Sequence, residues 1–227
     1  TDTGVGKTLV AAGLVHAAAG RGWRAVGIKP VAAGCRPATT NGGTRLVNDD
    51  ALALDAAASV RLAYADINPV ALEPPIAPHI AAAGSGIDLR ADELVAHCRR
   101  VGEQAAARVV VVEGAGGWLV PLNPTETMET VACGLGFPVI IVVGLRLGCL
   151  NHALMTARSV RAAGLPVAGW VANQVDPDMA EIEGNIEALR AQLPEPMLGR
   201  IPYLGAAASV GQVAAHLHVA ALGWVDS

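Results

Sequence analysis

The sequence predicts an α/β fold in which helices cover both faces of a doubly wound, mostly parallel β-sheet. Three observations predict it: short apolar runs alternate with helix-length stretches, the runs are rich in β-branched residues, and a Gly-rich loop opens directly into a helix. The 227 residues are 52% hydrophobic and 16% charged, which suits one domain over residues 1–227 and argues against disorder.

The apolar runs and the stretches between them give the order of elements. Strands are predicted at residues 24–30, 108–114, 138–144, 167–173 and 197–202. Helices are predicted at residues 7–20, 49–60, 91–106, 126–135, 151–163, 178–192 and 206–221. The polar segment 30–48 is interpreted as a mobile active-site loop, and the Pro-rich segment 66–86 as an irregular surface segment.

Composition narrows the classes of function. A formal net charge of -4 at pH 7 argues against a nucleic-acid partner, which a basic face would attract. The apolar runs are shorter than a membrane span, and the chain opens on a polar loop without a signal-peptide pattern. Cys35, Cys98, Cys133 and Cys149 are scattered without CxxC spacing, which is typical of reduced thiols. We therefore expect a cytoplasmic protein with no membrane or nucleic-acid partner.

The two lysines are the most informative cations. All other basic residues apart from histidine are Arg, whereas Lys7 lies in TDTGVGKT and Lys29 in GIKPVAAG. Lys is a compact point charge on a flexible stem, while Arg is a planar, permanently charged fork. A chain that otherwise uses Arg is expected to keep Lys where phosphate or carboxylate chemistry needs an ammonium group.

The segment TDTGVGKT has the composition of a phosphate-binding loop. Gly4 and Gly6 let backbone N–H groups approach phosphate oxygens, and the helix that follows adds a partial positive charge at its start. Lys7 would reach the β- and γ-phosphates, and the Thr8 hydroxyl would coordinate Mg²⁺. The sheet is therefore expected to be of the P-loop nucleoside triphosphatase type.

A phosphate loop of this type normally follows a buried strand. The position expected for the first Gly of the loop is occupied by Thr1. We therefore expect an apolar strand ending in Gly just before Thr1, so that the first strand of the sheet is missing from the sequence.

Two acidic residues are candidate metal ligands. Glu113 ends a strand of four valines and precedes a Gly-rich stretch, at the carboxyl edge of the sheet where ligands bind. Asp50 lies at the start of a helix, and Asp49 competes with it for the same role. Mg²⁺ prefers an octahedron of oxygen ligands, so a hydroxyl, carboxylates and phosphate oxygens would suit it.

Seven segments in order resemble the dethiobiotin synthetase family, and together they cover nearly the whole chain. They are TDTGVGKT, GIKPVAAG, NDDALAL, VVEGAGGWLVPL, VVGLRLGCLNHALMT, GWVANQV and GRIPYL. The resemblance implies an ATP-dependent cyclo-ligase that closes the ureido ring of dethiobiotin on 7,8-diaminopelargonic acid with CO₂. The route implied runs through a carbamate and a carbamic-phosphoric mixed anhydride, and the enzyme is implied to be a homodimer with sites at the interface.

The resemblance also implies residue roles. Catalysis would rest on Lys29, Lys7 and Thr3, and Mg²⁺ on Thr8, Asp50 and Glu113. Substrate would be bound by Lys29, Ala33, Leu150 and Asn151, with Asn151 acting across the dimer. Nucleotide and metal would be bound by Gly4, Val5, Gly6, Lys7, Thr8, Leu9, Asp50, Glu113, Gly114, Ala115, Gly116, Asn173, Gln174, Pro202, Tyr203 and Leu204. Asn173 would recognise adenine.

The sequence departs from the family at two places. Ala33 stands where the family often has Ser or Thr, and the loss of one neutral hydrogen bond would weaken substrate binding by about 0.5–1.5 kcal/mol. The segment after Leu204 also diverges, and the acidic nucleotide contact expected from the family falls near Ser209. The selectivity for base or ribose therefore stays open.

Three other hypotheses stay open at this point. A partitioning-type dimer-switch ATPase usually carries an additional Lys early in the loop, and none precedes Lys7. An amidotransferase-type synthetase would need a glutaminase domain, for which 227 residues leave no room. A chain without the first strand could also fold and be inactive, because the loop would lose the pairing that positions it.

Overall fold

The computed structural model describes residues 1–40, 43–205 and 208–224. The described helices are α1 (Lys7–Ala19), α2 (Asp49–Ala57), α3 (Tyr64–Ile67), α4 (Pro78–Gly84), α5 (Ala91–Gln104), α6 (Met128–Leu135), α7 (Cys149–Ala162), α8 (Ile182–Gln192) and α9 (Val210–Ala215), followed by a 3-10 helix at Val219–Leu222. The described strands are β1 (Ala25–Ile28), β2 (Val31–Ala33), β3 (Arg36–Thr40), β4 (Gly43–Val47), β5 (Val70–Leu72), β6 (Val109–Val112), β7 (Val139–Leu145), β8 (Val167–Gln174) and β9 (Met197–Ile201).

Most strand pairs are parallel. β1 pairs with β6, β2 pairs with β5, and β7, β8 and β9 form a three-stranded parallel sheet. The exception among these pairs is the antiparallel hairpin of β3 and β4. The predicted α/β fold is confirmed, and the five predicted strands appear as β1, β6, β7, β8 and β9.

The four valines of β6 show why the core strands are apolar on both faces. Val110 and Val112 pack with residues of α5 and α6, whereas Val109 and Val111 pack with residues of α1 and α2. Successive side chains of a strand point to opposite faces, so a strand covered by helices on both sides needs an apolar residue at every position. Glu113 directly follows this strand, so its position is set by a strand that is packed on both faces.

Two sequence interpretations are wrong. The segment 30–48 is not a loop throughout, because it contains β2 and the strands β3 and β4, which pair as a hairpin. The segment 66–86 is not irregular, because it contains the end of α3, then β5 and α4. β2 and β5 stabilise each other across about forty residues, and such non-local pairing has little signature in either segment alone.

The hairpin and α4 did have local signals. Asn-Gly between runs that contain β-branched residues favours a hairpin turn, although Asn41 and Gly42 themselves lie outside the described residues. Pro78 occupies the first turn of α4, where proline is favoured because its missing N–H is not needed.

A cavity of about 890 Å³ lies between the sheet that contains β6 and the sheet that contains β7. Residues 109–112 line it on one side and residues 139–142 on the other. The amino group and hydroxyl of Thr1 both donate to the carbonyl of Val142, at 3.2 and 2.9 Å, so the chain enters the phosphate loop at this cavity. The apolar strand predicted before Thr1 stays a prediction; at this place it would meet strand edges on both sides.

None of the helices found in the described ranges has the length and apolar character needed to cross a membrane. Cys35, Cys98, Cys133 and Cys149 are free thiols. Burial raises the pKa of the Cys98 thiol to about 12.

Candidate active site

The phosphate loop rests on the end of β8. Gly4 and Gly6 have φ angles of 72° and 84°, in the left-handed region that favours glycine. A Cβ atom at Gly6 would lie 2.2 Å from Nδ2 of Asn173, and that amide donates to the carbonyl of Val5 at 2.9 Å. Asn173 therefore helps to hold the phosphate loop in place through Val5 and Gly6. The role predicted for it from the sequence was recognition of adenine.

Helix α1 begins at Lys7 and points its free N–H groups toward the loop. Its first turn contains no acidic residue, so the positive end of the helix is not neutralised and can attract an anion. Nζ of Lys7 donates to the carbonyl of Asp2 at 2.6 Å. Burial lowers the pKa of Lys7, and the nearby charge of Lys29 lowers it further.

Lys29 and Glu113 meet because they follow neighbouring parallel strands. Ile28 at the end of β1 is in register with Val112 at the end of β6, and the N–H of Glu113 donates to the carbonyl of Ile28 at 2.8 Å. Both side chains are buried, with exposed fractions of 5% and 3%, and Nζ of Lys29 lies 2.7 Å from Oε1 of Glu113.

Asp50 completes this group from the start of α2. The side chain of Asn48 caps the helix by accepting from the N–H of Asp50 at 3.0 Å. Oδ2 of Asp50 lies 2.9 Å from Nζ of Lys29. Asp49 instead pairs with Arg36 on the surface, so the structure places Asp50, and not Asp49, in the pocket.

The pKa values of the two carboxyl groups in the pocket shift in opposite directions from their usual values. Burial raises the pKa of Glu113, and the charge and hydrogen bond of Lys29 only partly offset it. Burial also acts to raise the pKa of Asp50, but the charge and hydrogen bond of Lys29 outweigh it, so the pKa lies below its usual value. The difference follows from exposure, because the side chain of Asp50 is 41% exposed.

The oxygen atoms of the pocket fit a magnesium ion. The Thr8 hydroxyl donates to Oε1 of Glu113 at 2.6 Å, while Oε2 of Glu113 is buried and has no hydrogen-bond partner among the described residues. In the described part of the chain, no three His, Cys, Asp or Glu side chains group as a metal site. Mg²⁺ commonly takes one or two carboxylates together with phosphate oxygens and water, which matches Asp50, Glu113 and the Thr8 hydroxyl.

A second charged cluster lies on the other side of the phosphate loop. Nη2 of Arg146, just after β7, lies 2.5 Å from Oδ2 of Asp2, and Nδ1 of His152 on α7 lies 4.0 Å from the same oxygen. The N–H of Thr3 donates to Oδ1 of Asp2 at 2.7 Å, and the Thr3 residue is exposed. We call Asp2, Arg146 and His152 the loop-flanking cluster.

Asp2 and Arg146 were not among the site residues predicted from the sequence. Arg146 directly follows β7, and the rule that ligands bind at the carboxyl ends of parallel strands could have identified it. Asp2 had no such signal, because its role depends on a residue 144 positions away.

The predicted substrate residues lie on two elements. The amino end of α7, which follows Gly148, carries Leu150 and Asn151; Asn151 is exposed and Leu150 packs against the core of the β7–β8–β9 sheet. Ala33 ends β2, and its carbonyl lies 3.4 Å from Nδ2 of Asn48, the residue that caps α2. The structure thus brings Ala33 near the start of α2.

The remaining predicted nucleotide residues lie on several different elements. Gly114 follows Glu113, and its carbonyl lies 3.4 Å from Nζ of Lys29. Gln174 donates to the carbonyl of Asp176 at 3.3 Å, and Ser209 caps α9 by accepting from the N–H of Gln212. Other predicted nucleotide residues are Leu9 in α1, buried Ala115, Gly116 with a φ of 63°, exposed Pro202 and Tyr203, and half-buried Leu204.

Comparison with known proteins gives one consistent result. Residues 1–209 match the family described as AAA domain. The chain is 51% identical to the ATP-dependent dethiobiotin synthetase of Cellvibrio japonicus (strain Ueda107), over 98% of this chain and 94% of that protein. It is 50% identical to the protein of the same name from Pseudomonas paraeruginosa (strain DSM 24068 / PA7), over 98% and 95%. The identity to that from Xylella fastidiosa (strain 9a5c) is 48%, over 96% and 94%.

Proposed function

The chain belongs to the ATP-dependent dethiobiotin synthetase family, and we propose that the pocket around Lys29 is where its reaction takes place. The protein is an ATP-dependent cyclo-ligase that forms dethiobiotin in biotin biosynthesis. The observation that carries the proposed site is the position of the Lys29 ammonium group, which lies between Asp50 and Glu113 beside the phosphate loop.

The proposed substrates are 7,8-diaminopelargonic acid, CO₂ and ATP. One amine of the diamine adds to CO₂ and loses a proton, which gives a carbamate. A carbamate oxygen attacks the γ-phosphorus of ATP, the bond to the bridging oxygen breaks, and ADP leaves. The second amine then attacks the carbonyl carbon of the mixed anhydride, expels phosphate and loses its proton, which closes the ureido ring.

The cations of the site suit the charges of this sequence. Carbamate, transferring phosphoryl group and leaving phosphate are all anionic, so fixed positive groups stabilise each step. Lys29 is proposed to hold the carbamate and the transferring phosphoryl group. Lys7 and the N–H groups at the start of α1 are proposed to hold the β- and γ-phosphates, with Thr3 as the third catalytic residue.

Thr8, Asp50 and Glu113 are proposed to hold Mg²⁺. The buried, unpaired Oε2 of Glu113 supports this assignment, because a metal ion would supply the partner that the described protein atoms do not. When bound, the ion would neutralise charge on the β- and γ-phosphates.

The nucleotide base is proposed to bind near the ends of β8 and β9. Asn173 and Gln174 end β8, and exposed Pro202 and Tyr203 follow β9 with Leu204. Because the Asn173 amide already donates to Val5, contact with adenine would have to use its remaining atoms or a shifted side chain.

A homodimer completes the proposal. Asn151 and His152 are exposed in the first turn of α7, where helix N–H groups favour a carboxylate, so a substrate bound to a second subunit could reach them. Ala33 and Leu150 are the other proposed substrate contacts. We further propose that the protein acts as one domain in the cytoplasm, where free thiols such as its four cysteines are stable, without nucleic-acid or membrane partners.

The test is formation of dethiobiotin and release of phosphate from 7,8-diaminopelargonic acid, bicarbonate and ATP, with and without Mg²⁺. Lys29→Ala is expected to lower kcat by about 10²–10³-fold, the range seen when one donor to a developing negative charge is removed. Arg21→Ala, on the surface after α1, is the control and should keep the parent rate. An unchanged rate for Lys29→Ala would remove the role assigned to Lys29.

A further inference from the structure

The Lys29 ammonium group contacts two of the three proposed metal ligands. Its Nζ atom lies 2.7 Å from Oε1 of Glu113 and 2.9 Å from Oδ2 of Asp50, and Oε1 of Glu113 also accepts from the Thr8 hydroxyl. Two of the three proposed metal ligands therefore contact a positive charge that the chain itself supplies, and the third, the Thr8 hydroxyl, bonds to one of them.

We infer that Lys29 is an internal counter-ion that Mg²⁺ displaces, so that metal binding frees the ammonium group for the anionic substrate. This inference rests on the proposed metal role of Thr8, Asp50 and Glu113. Mg²⁺ bound to the free Oε2 of Glu113 and to Asp50, at about 2.0–2.1 Å from each oxygen, would place a second cation on the two carboxylates that hold Lys29. Repulsion between the two cations should then favour a shift of the ammonium group away from the carboxylates.

Hydrogen bonds hold the backbone of Lys29 in place on both sides. The N–H of Lys29 donates to the carbonyl of Ile67 at 2.8 Å, and its own carbonyl accepts from Nδ2 of Asn68 at 2.8 Å. Lys has a flexible four-carbon stem, unlike the planar fork of Arg. The carbonyl of Gly114, 3.4 Å from Nζ, offers a neighbouring acceptor for the displaced ammonium group.

Displacement of Lys29 by the metal would explain two properties of the pocket. Its carboxylates are neutralised before ligands bind, and a free ammonium group is present after the metal binds. Two carboxylates beside each other, one of them buried, need a positive charge, and Lys29 supplies it. Once a metal ion holds the carboxylates, the ammonium group has lost its two carboxylate partners and is available to a carbamate or phosphoryl oxygen. Metal binding and binding of the anionic substrate should then favour each other reciprocally.

The two lysines of the chain make a direct test practical. Protein labelled only at lysine with ¹³C and ¹⁵N should give two sets of NMR signals, and the Lys29→Met variant assigns them. Without nucleotide, Mg²⁺ at a saturating concentration is expected to shift the Lys29 side-chain signals more than those of Lys7. Lys29 signals that stay unchanged while the metal binds would overturn the inference.

Metal affinity gives a second readout that does not depend on activity. Mn²⁺ binding measured by electron paramagnetic resonance, without nucleotide, is expected to be at least about ten times tighter in Lys29→Met than in the parent. Lys7→Met is the matched control, since Lys7 is a neighbouring cation whose ammonium group donates to the backbone carbonyl of Asp2 at 2.6 Å. Equal affinities for parent and Lys29→Met, or equal gains in both variants, would contradict displacement.

The two measurements separate this inference from the proposed function. If Mn²⁺ does not bind to the parent even with ATP, the proposed metal site fails and the inference with it. If Mn²⁺ binds with ATP while the Lys29 signals and affinities stay unchanged, displacement alone is wrong. Because the NMR titration uses the parent protein and Lys7→Met can assign the two sets of signals as well, poor folding of Lys29→Met leaves the displacement test intact.

Discussion

Two clusters lie beside the phosphate loop, and each of them pairs a cation with at least one carboxylate. The clusters differ mainly in how deeply they are buried. In the Lys29 pocket, the side chains of Lys29 and Glu113 are 5% and 3% exposed. In the loop-flanking cluster, Asp2 and Arg146 are each 40% exposed. Both contain a short contact between a cation and a carboxylate, but water screens only the second one effectively.

The difference teaches which contact the chain depends on. Removing one member of a buried ion pair leaves a charge without compensation and costs about 3–5 kcal/mol, whereas an exposed pair contributes about 0–1 kcal/mol. The buried cluster uses Lys and the exposed one Arg, in a chain with only two lysines. Lys at the buried position suits the proposed displacement, because its stem is flexible whereas the guanidinium group of Arg is a planar fork.

The largest expected effect comes from removing the buried cation. Lys29→Met should lower the free energy of unfolding at pH 7 by about 3 kcal/mol, at the low end for a buried pair because Asp50 is partly exposed. Urea denaturation with a chelator present measures it. Arg146→Met is the matched change in the exposed cluster and should cost less than about 1 kcal/mol. Equal losses for the two variants would show that burial does not separate the clusters.

The pH dependence of Lys29→Met follows from Glu113. Because the folded state raises the pKa of Glu113, folded protein binds that proton more tightly than unfolded protein, and stability falls as the pH rises from about 4.5 through the raised pKa. Without Lys29 the pKa of Glu113 should rise further. The stability lost in Lys29→Met is therefore expected to be smaller at pH 5 than at pH 8.

The loop between the clusters should be the next most sensitive place. Gly6→Ala would put Cβ 2.2 Å from the Asn173 amide at a φ of 84°, so it should destabilise the protein by about 2 kcal/mol or more and abolish tight ATP binding. Gly4→Ala has a similar φ of 72° but no atom within 4 Å of the added Cβ, so only the backbone strain of about 1–2 kcal/mol applies. Isothermal titration with ATP and urea denaturation distinguish them; equal effects would mean that the Asn173 contact is unimportant.

The smallest effect is expected for Asp2→Asn. The backbone hydrogen bond from Thr3, aided by Arg146, lowers the pKa of Asp2, so the folded protein releases this proton more readily than the unfolded one. The stability that Asp2 contributes should be present above about pH 3.8 and be lost as the pH falls through the lowered pKa. Urea denaturation between pH 2 and 6 should show the parent and Asp2→Asn converging in acid. A constant difference over this range would contradict the account.

The buried cluster was more predictable from the sequence than the exposed one. Lys29 and Glu113 directly follow apolar strands, and parallel strands place their carboxyl ends at one edge, so their meeting follows from the pattern of the chain. The inward position of Asp50 was harder to predict, because Asp49 beside it is also acidic. The fold of the helix start with its Asn48 cap separates them, with Asp50 against Lys29 and Asp49 against Arg36. The roles of all these residues in catalysis and metal binding stay predictions.

The features that the sequence did not reveal depend on distant pairings. The β2–β5 pair and the contact of Arg146 with Asp2 join residues far apart in the chain, so no local pattern predicts them. Asn173 was expected to contact adenine, and its packing against Gly6 could be found only from the close approach of the loop to β8. The extent of the domain over residues 1–227 and the strand before Thr1 also stay predictions.

Reciprocal exchange of the two cations tests the central claim most directly. Lys29→Arg keeps the charge but places a rigid fork in a pocket that needs a small, movable ammonium group, whereas Arg146→Lys keeps the charge in an exposed cluster. Dethiobiotin formation under saturating ATP, Mg²⁺, bicarbonate and diamine is expected to fall about 100-fold or more in Lys29→Arg and less than about 3-fold in Arg146→Lys. A Lys29→Arg enzyme as fast as the parent would contradict the account.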